Sequence, residues 1–294
     1  MRPLLALLLP LLTAAAPPDT APIRCTDCAA WNAPRAPFRI WGNTSFVGVE
    51  GLSVAVIDTG EGLILLDGAL PQSVPRIAEN LRTLGLDVRR VKWILNSHAH
   101  FDHAGGIAAL QRLSGARVAA SADGAKALRA GGMTPEDPQA AYGAHFGYPK
   151  VKKVEAVADG QRITLGKVVV TAHHTPGHTP GGVTWTWRSC EGERCVDVVY
   201  GESLTAVSAD GFRYGAKAGR VEQFRASIAK VRALPCDVLI PTHPSAGRLF
   251  AQAEASVREG REAFLDPGAC RAYADRADAG LGARVKQEAE GKTP

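Results

Sequence analysis

Between His98 and His103 the chain carries three histidines and one aspartate, in the order His98-Ala99-His100-Phe101-Asp102-His103. Neutral imidazole and carboxylate suit Zn²⁺, and a catalytic zinc site keeps one position for water or substrate. His98 and His100 are two residues apart, so on an extended segment both side chains point the same way and can reach one ion. Asp102 and His103 are adjacent, and a turn can aim both at a second ion. A lone histidine is more often a surface or core residue than a ligand. Four donors packed this closely behind an apolar run are not a lone histidine. His178 and His243 each follow a strand-like run, in the Gly177-His178 and Pro241-Thr242-His243 loops. A structural zinc site would more often use cysteine thiolates. The cysteines here lie elsewhere, so the pattern points to a catalytic metal centre.

Such donors need strand ends to present them. Val91–Leu95 precedes the histidine cluster, Val168–Ala172 precedes His178, and Val238–Ile240 precedes His243. Each is apolar enough for a buried strand. Further strands are expected in the first half at Phe38–Trp41, Thr44–Val49, Ser53–Asp58, Gly62–Asp67 and Arg117–Ala120. Helices are expected there at Val74–Leu84, Ile107–Leu113 and Ala122–Ala130. In the second half strands are expected at Arg162–Leu165, Val183–Trp187 and Val196–Tyr200. Helices are expected at Val221–Leu234, 248–264 and 268–289. Two halves of strands and helices, with their sheets packed together, make a four-layer αββα sandwich. Residues 132–150 hold six Pro or Gly and three aromatics and read as a long surface loop, with His145 at its rim. His173 and His174 compete with His178, and one of them is expected to face the core or solvent.

The 294 residues allow a sizeable core. A hydrophobic share of 46% beside 21% charged residues is ordinary for a soluble globular chain. The net charge of +5 is scattered, which favours a solvated surface over a nucleic-acid partner. Met1-Arg2, the apolar Pro3–Leu12 and Ala14-Ala15-Ala16 form an export signal, cut after Ala15 or Ala16. No later apolar run would span a membrane. The expected organisation is a signal peptide at 1–16, an irregular arm at 17–37 and a single domain at 38–294, in a periplasmic or secreted protein. Six cysteines in an exported chain suggest disulfides, with fifteen conceivable pairings that sequence alone does not decide. Cys25 and Cys28 read as a small local staple rather than a redox motif.

His98-x-His100-x-Asp102-His103 resembles the His-x-His-x-Asp-His motif of the metallo-β-lactamase superfamily. The similarity extends through Asp58, Asp67, Thr175-Pro176-Gly177-His178-Thr179-Pro180-Gly181-Gly182 and Pro241-Thr242-His243-Pro244. It implies a di-zinc hydrolase, with His98, His100 and His178 on the first zinc and Asp102, His103 and His243 on the second. Thioesterases and lactonases of the superfamily usually carry a bridging aspartate where this chain has Ser203, and subclasses B1 and B2 carry a cysteine. Ser203, with His103 completing the second zinc, resembles subclass B3, as do the stretches Trp185–Glu191 and Val231–Asp237. In that subclass Cys236 and Cys270 would pair, and Cys190 with Cys195 in one branch. Cys25, Cys28 and Glu202 depart from the pattern, and a Glu202 that bridged the metals would favour a lactonase.

The implied reaction opens the β-lactam ring of penicillins, cephalosporins and carbapenems by attack of a zinc-bound hydroxide, an activity associated with antibiotic resistance. Asp102 would orient that hydroxide. Ser203 and Thr205 would bind the substrate carboxylate, Phe146 would lie over the site, and Asp67 would take the free N–H of a ligand histidine. The implied partner is a small-molecule β-lactam, with neither nucleic acid nor membrane, and the chain is expected to be a monomer. The alternative is an exported lactonase or thioester hydrolase. A non-catalytic zinc-binding protein is disfavoured by the complete ligand set.

Overall fold

The computed structural model describes residues 18–292, so the expected signal peptide lies outside the described residues. The arm at 17–37 is not wholly irregular as expected: it contains a helical turn, α1 (Cys28–Trp31). A disulfide between Cys25 and Cys28 closes the chain on itself there, and Trp31 N–H donates to Asp27 O at 2.8 Å.

The first sheet runs in chain order: β1 (Phe38–Trp41), β2 (Thr44–Phe46), β3 (Ala55–Asp58), β4 (Leu63–Leu66), β5 (Val91–Leu95), β6 (Arg117–Ala120) and β7 (Glu155–Ala156). Strands β1 to β4 pair antiparallel, whereas β4 to β7 pair parallel. Parallel neighbours require crossovers. These are α2 (Val74–Thr83), the pair α3 (Phe101–Ala104) and α4 (Ile107–Ser114), and α5 (Ala122–Ala130). The second sheet has the order β12-β11-β10-β9-β8, from β8 (Arg162–Leu165), β9 (Val168–His174), β10 (Val183–Glu191), β11 (Arg194–Gly201) and β12 (Val238–Pro241). Helix α6 (Arg220–Ala233) makes the parallel crossover from β11 to β12, and α7 (Leu249–Glu259) and α8 (Ala269–Ala289) follow.

Three apolar cores separate four layers, as the sequence pattern predicted. Ile64, Leu66, Trp93 and Leu95 meet Val170, Trp185, Val198 and Ile240 between the sheets. Leu63, Leu65 and Ile94 face Ile77, Leu81, Leu110 and Leu128 of the first helical layer. Val199 and Leu239 face Phe224, Ile228 and Leu281 of the second. Strands buried on both faces must read as continuous apolar runs, which is why Leu63–Leu66 is Leu-Ile-Leu-Leu.

The strand ends differ from expectation where polar residues hide them. Strands β10 and β11 continue into a hairpin whose Cys190 and Cys195 are register partners and are disulfide-bonded. Cross-strand pairing and the disulfide hold this polar tip without a core. Strand β9 likewise runs on through His173 and His174. Their rings bond Thr186 Oγ1 at 2.8 Å and Val157 O at 3.0 Å, away from the site. A third disulfide, Cys236–Cys270, ties the approach to β12 to α8.

One cap links the fold to the site. Ser121 Oγ accepts the Gly124 N–H at 3.1 Å at the start of α5 and donates to Gly181 O at 2.8 Å, in the loop that bears His178. A β-carbon on Gly181 would collide with Gly124 N, so the two segments can meet only through glycine. Ser121→Ala should lower stability by about 1–2 kcal/mol, because it removes a helix cap and leaves a buried carbonyl unpaired. Urea denaturation against the parent protein measures the loss.

Candidate metal centre

Strand ends of both sheets deliver the site residues to one edge of the sandwich. Asp67 follows β4, the histidine cluster follows β5, His178 lies between β9 and β10, Glu202 and Ser203 follow β11, and His243 follows β12. The cluster changes from extended chain to helix within itself. His100 is extended (φ −83°, ψ 155°) and caps α3, which carries Asp102 and His103. The i, i+2 pair therefore points one way and the next two donors another.

Two three-donor groups result. His98, His100 and His178 place ligand-capable atoms within 4.8 Å of one another, and Asp102, His103 and His243 do the same. The groups adjoin, with the His98 and His103 ring centroids 4.3 Å apart. In the second group Asp102 Oδ2 lies 3.2 Å from His103 Nε2 and 3.3 Å from His243 Nε2. Those two nitrogens are themselves 3.1 Å apart.

Most of these rings have an oxygen partner on one nitrogen. His98 Nδ1 is 3.2 Å from Ser97 Oγ, and His178 Nδ1 is 2.8 Å from Thr205 O. His243 Nδ1 is 3.1 Å from Gly51 O. His100 Nε2 lies 3.2 and 3.1 Å from the two oxygens of Asp137. Fixing one ring nitrogen in this way leaves the other for a metal. His103 Nδ1 is buried without a hydrogen-bond partner, and Asp67 Oδ2 stands 3.8 Å from it. Asp67 is itself held by Ser97 N at 2.7 Å, Ser97 Oγ at 2.6 Å and Tyr200 Oη at 3.0 Å.

Charge is set accordingly. Burial, reinforced by the neighbouring imidazoles, holds His98 well below its usual pKa, and burial beside His100 takes His178 down to about 3. Both stay neutral, which is the form that ligates. Burial opposes ionisation of Asp102, but His103 and His243 outweigh it and keep the carboxyl well below the usual carboxylate range. Five imidazoles and one carboxylate, convergent and all buried but the half-buried His243, fit metal ions as ligands.

The other expected residues divide. Ser203 is buried, with its Oγ 2.9 Å from Thr242 Oγ1. Thr205 is exposed, and its Oγ1 lies 3.1 Å from His178 Nδ1. Phe146 stacks on Phe101 at 4.6 Å, in a helical turn over Ala140–Phe146. Exposed His145 stands at the rim beside it. Glu202 is fully buried and belongs to neither donor group; its Oε1 is 4.0 Å from His98 Nδ1.

Sequence reasoning missed Asp137, Phe101 and Trp31. The loop at 132–150 is not simply a surface loop: Asp137 and Tyr148 are buried, and Tyr148 Oη donates to Ala99 O at 2.8 Å. Nothing in the Asp137-Pro138 spacing points to His100. Trp31 offered a fainter signal, as a large aromatic in a Pro-rich arm. Its ring centroid lies 5.3 Å from that of His243 and 6.5 Å from that of Phe101.

Among the described residues no helix is long and apolar enough to cross a membrane. Residues 47–243 match the family model of the metallo-β-lactamase superfamily. Among solved structures, Rm3 metallo-β-lactamase is 48% identical, with a TM-score of 0.88 over 90% of this chain and 99% of the other. MEM-A1, a subclass B3 metallo-β-lactamase from a soil metagenome library, is 47% identical, with a TM-score of 0.86 over 89% and 100%. A curated relative, the hydroxyacylglutathione hydrolase of Anaeromyxobacter dehalogenans, is 30% identical over 48% of this chain and 44% of its own length. The chain spans about half the length of the curated relatives it matches. With two adjoining donor groups at the strand ends of an αββα sandwich, the chain belongs to the metallo-β-lactamase superfamily.

Proposed function

We propose that the protein is a di-zinc β-lactamase of the subclass B3 type, hydrolysing penicillins, cephalosporins and carbapenems. One observation carries this reading. Asp102, His103 and His243 close a donor group by themselves, while Ser203 is bonded to Thr242 and Glu202 stands outside both groups. No carboxylate or thiolate at the end of β11 is needed. His98, His100 and His178 would hold one zinc, and Asp102, His103 and His243 the other. When bound, the two ions supply a hydroxide nucleophile near neutral pH and polarise the carbonyl under attack.

The chain's own residues do the rest. Asp102 is ionised and turns Oδ2 to two imidazoles, which leaves carboxylate lone pairs to accept a hydrogen bond from the nucleophile and orient it. Ser203 has no imidazole base within its hydrogen bonds and is not a nucleophile. Its hydroxyl exchanges Thr242 for the substrate carboxylate, and Thr205 adds a second hydroxyl. Trp31, Phe101 and Phe146 form an apolar wall beside His243 that would shield the reacting bond from bulk water. The reading extends to a monomeric single domain at 38–294, exported by the segment at 1–16 to the periplasm or medium, where β-lactam hydrolysis would confer antibiotic resistance.

The test is turnover by the purified mature chain, with and without chelator, on a carbapenem, a cephalosporin, a lactone and a thioester. Chelator-sensitive β-lactam hydrolysis, restored by zinc, is expected. Fast lactone or thioester cleavage with no β-lactam turnover would replace this reading by the alternative hydrolase. Ser203→Ala should raise KM about tenfold, the worth of one hydrogen bond to a charged group, with kcat and zinc content nearly unchanged. A loss of zinc would contradict the assigned role.

A further inference from the structure

The N-terminal arm contacts the metal centre in a way that neither the donor groups nor the substrate roles require. Cys25 is disulfide-bonded to Cys28, and Cys28 is buried in the core beside the first helical layer. From Cys28 the chain enters α1, which ends at Trp31. Trp31 O accepts the Gly51 N–H at 3.0 Å, and Ala33 O accepts the Glu50 N–H at 3.0 Å. The indole lies so close over Gly51 that a β-carbon there would collide with it. On its other side, Gly51 O accepts the Nδ1–H of His243 at 3.1 Å. The peptide that orients His243 is therefore clamped by the arm. A histidine whose Nδ1–H is held by a carbonyl presents Nε2 to a metal. His243 Nε2 is the atom that faces Asp102 and His103.

We propose that the disulfide-tied arm is a positioning device for the second zinc: Trp31, acting through Gly51, fixes the His243 ring and so sets the affinity of the Asp102–His103–His243 group. This rests on the two-zinc reading above. Without the indole, water reaches the Gly51 carbonyl and competes for its bond to His243. The first group takes its anchors from Ser97, Asp137 and Thr205, on other segments, so its affinity should not follow the arm. Hydrogen bonds between Ile23 and Gln72, at 3.1 and 2.8 Å, and from Ser73 Oγ to Asn32 Oδ1 at 2.6 Å keep the arm docked without the disulfide. Loss of the disulfide should therefore weaken the second zinc less than loss of the indole.

The experiment is zinc titration of the full mature chain in competition with a chromophoric chelator. The parent protein should bind two zinc ions. Trp31→Ala should weaken only the second, by about 10- to 100-fold, the usual effect of disturbing a ligand's support. Trp31→Phe should restore most of the affinity, and Cys25→Ser/Cys28→Ser should give a smaller, equally selective loss. If Trp31→Ala does not fold, the Cys25→Ser/Cys28→Ser variant carries the selective prediction, with Trp31→Phe close to the parent. Unchanged affinities at both sites would overturn the proposal, as would equal weakening of both, which marks general loosening. A parent protein that binds fewer than two zinc ions would remove the underlying reading and this one with it.

Discussion

Asp102→Ala is expected to slow β-lactam turnover by about 10³-fold in kcat/KM, the range for losing a group that positions the nucleophile. The size follows from where the carboxylate sits. It is the one anionic donor in the two groups, and its Oδ2 is within 3.3 Å of both His103 Nε2 and His243 Nε2. On the proposed reading, its removal takes a ligand from the second zinc and the acceptor that orients the nucleophile. It also leaves the buried His103 ring and the half-buried His243 ring facing each other at 3.1 Å without a counter-charge. The second zinc should bind more weakly while the first is retained. Asp102→Asn separates the effects, because it keeps the shape and one oxygen but not the charge. It should recover part of the zinc affinity and little of the rate. Initial rates on a cephalosporin, read beside zinc content, measure both. Near-parental turnover by Asp102→Ala would remove this residue from the machinery.

Trp185→Ala should lower unfolding free energy by about 4 kcal/mol, the cost of emptying a large aromatic site in a packed core. Trp185 is fully buried between the two sheets. Its Nε1–H also donates to Asn96 O at 3.1 Å. Asn96 in turn donates to Asp67 Oδ1 at 2.9 Å and His98 O at 2.7 Å, so the indole supports the base of the histidine loop. Trp185→Phe keeps most of the volume and loses only the N–H, and should cost about 1–2 kcal/mol. Urea denaturation of the metal-free protein with its disulfides intact distinguishes the two. Equal losses for both variants would place the cost on the hydrogen bond rather than on packing.

The histidine cluster was legible because its chemistry is local. Four donors at i, i+2, i+4 and i+5 after an apolar strand need only strand geometry and one turn to form half of each donor group. The layer architecture was legible for a similar reason. Strands buried on both faces must be continuously apolar, and helices with one wet face must be periodic, so Leu63–Leu66 and Val221–Leu234 declare themselves. Polar strand ends do not, which is why β9 was expected to stop at Ala172, short of His173 and His174, and β10 at Trp187, short of the Cys190–Cys195 tip.

The grouping of His178 with His98 and His100, and of His243 with Asp102 and His103, came in the sequence only from family resemblance. The distances that unite them are set by two sheets stacked face to face. Ser203 announced the subclass by its type, but its bond to Thr242 belongs to the meeting of β11 and β12. Asp137 beneath His100, Trp31 beside His243 and Glu202 under His98 lie 37, 212 and 104 residues from those partners in the chain. No local periodicity relates residues so far apart. Sequence by itself determined which atoms could hold metal and which strands would carry them. The tertiary structure decided which oxygens fix each imidazole, because only packing brings distant backbone carbonyls and carboxylates within hydrogen-bond reach.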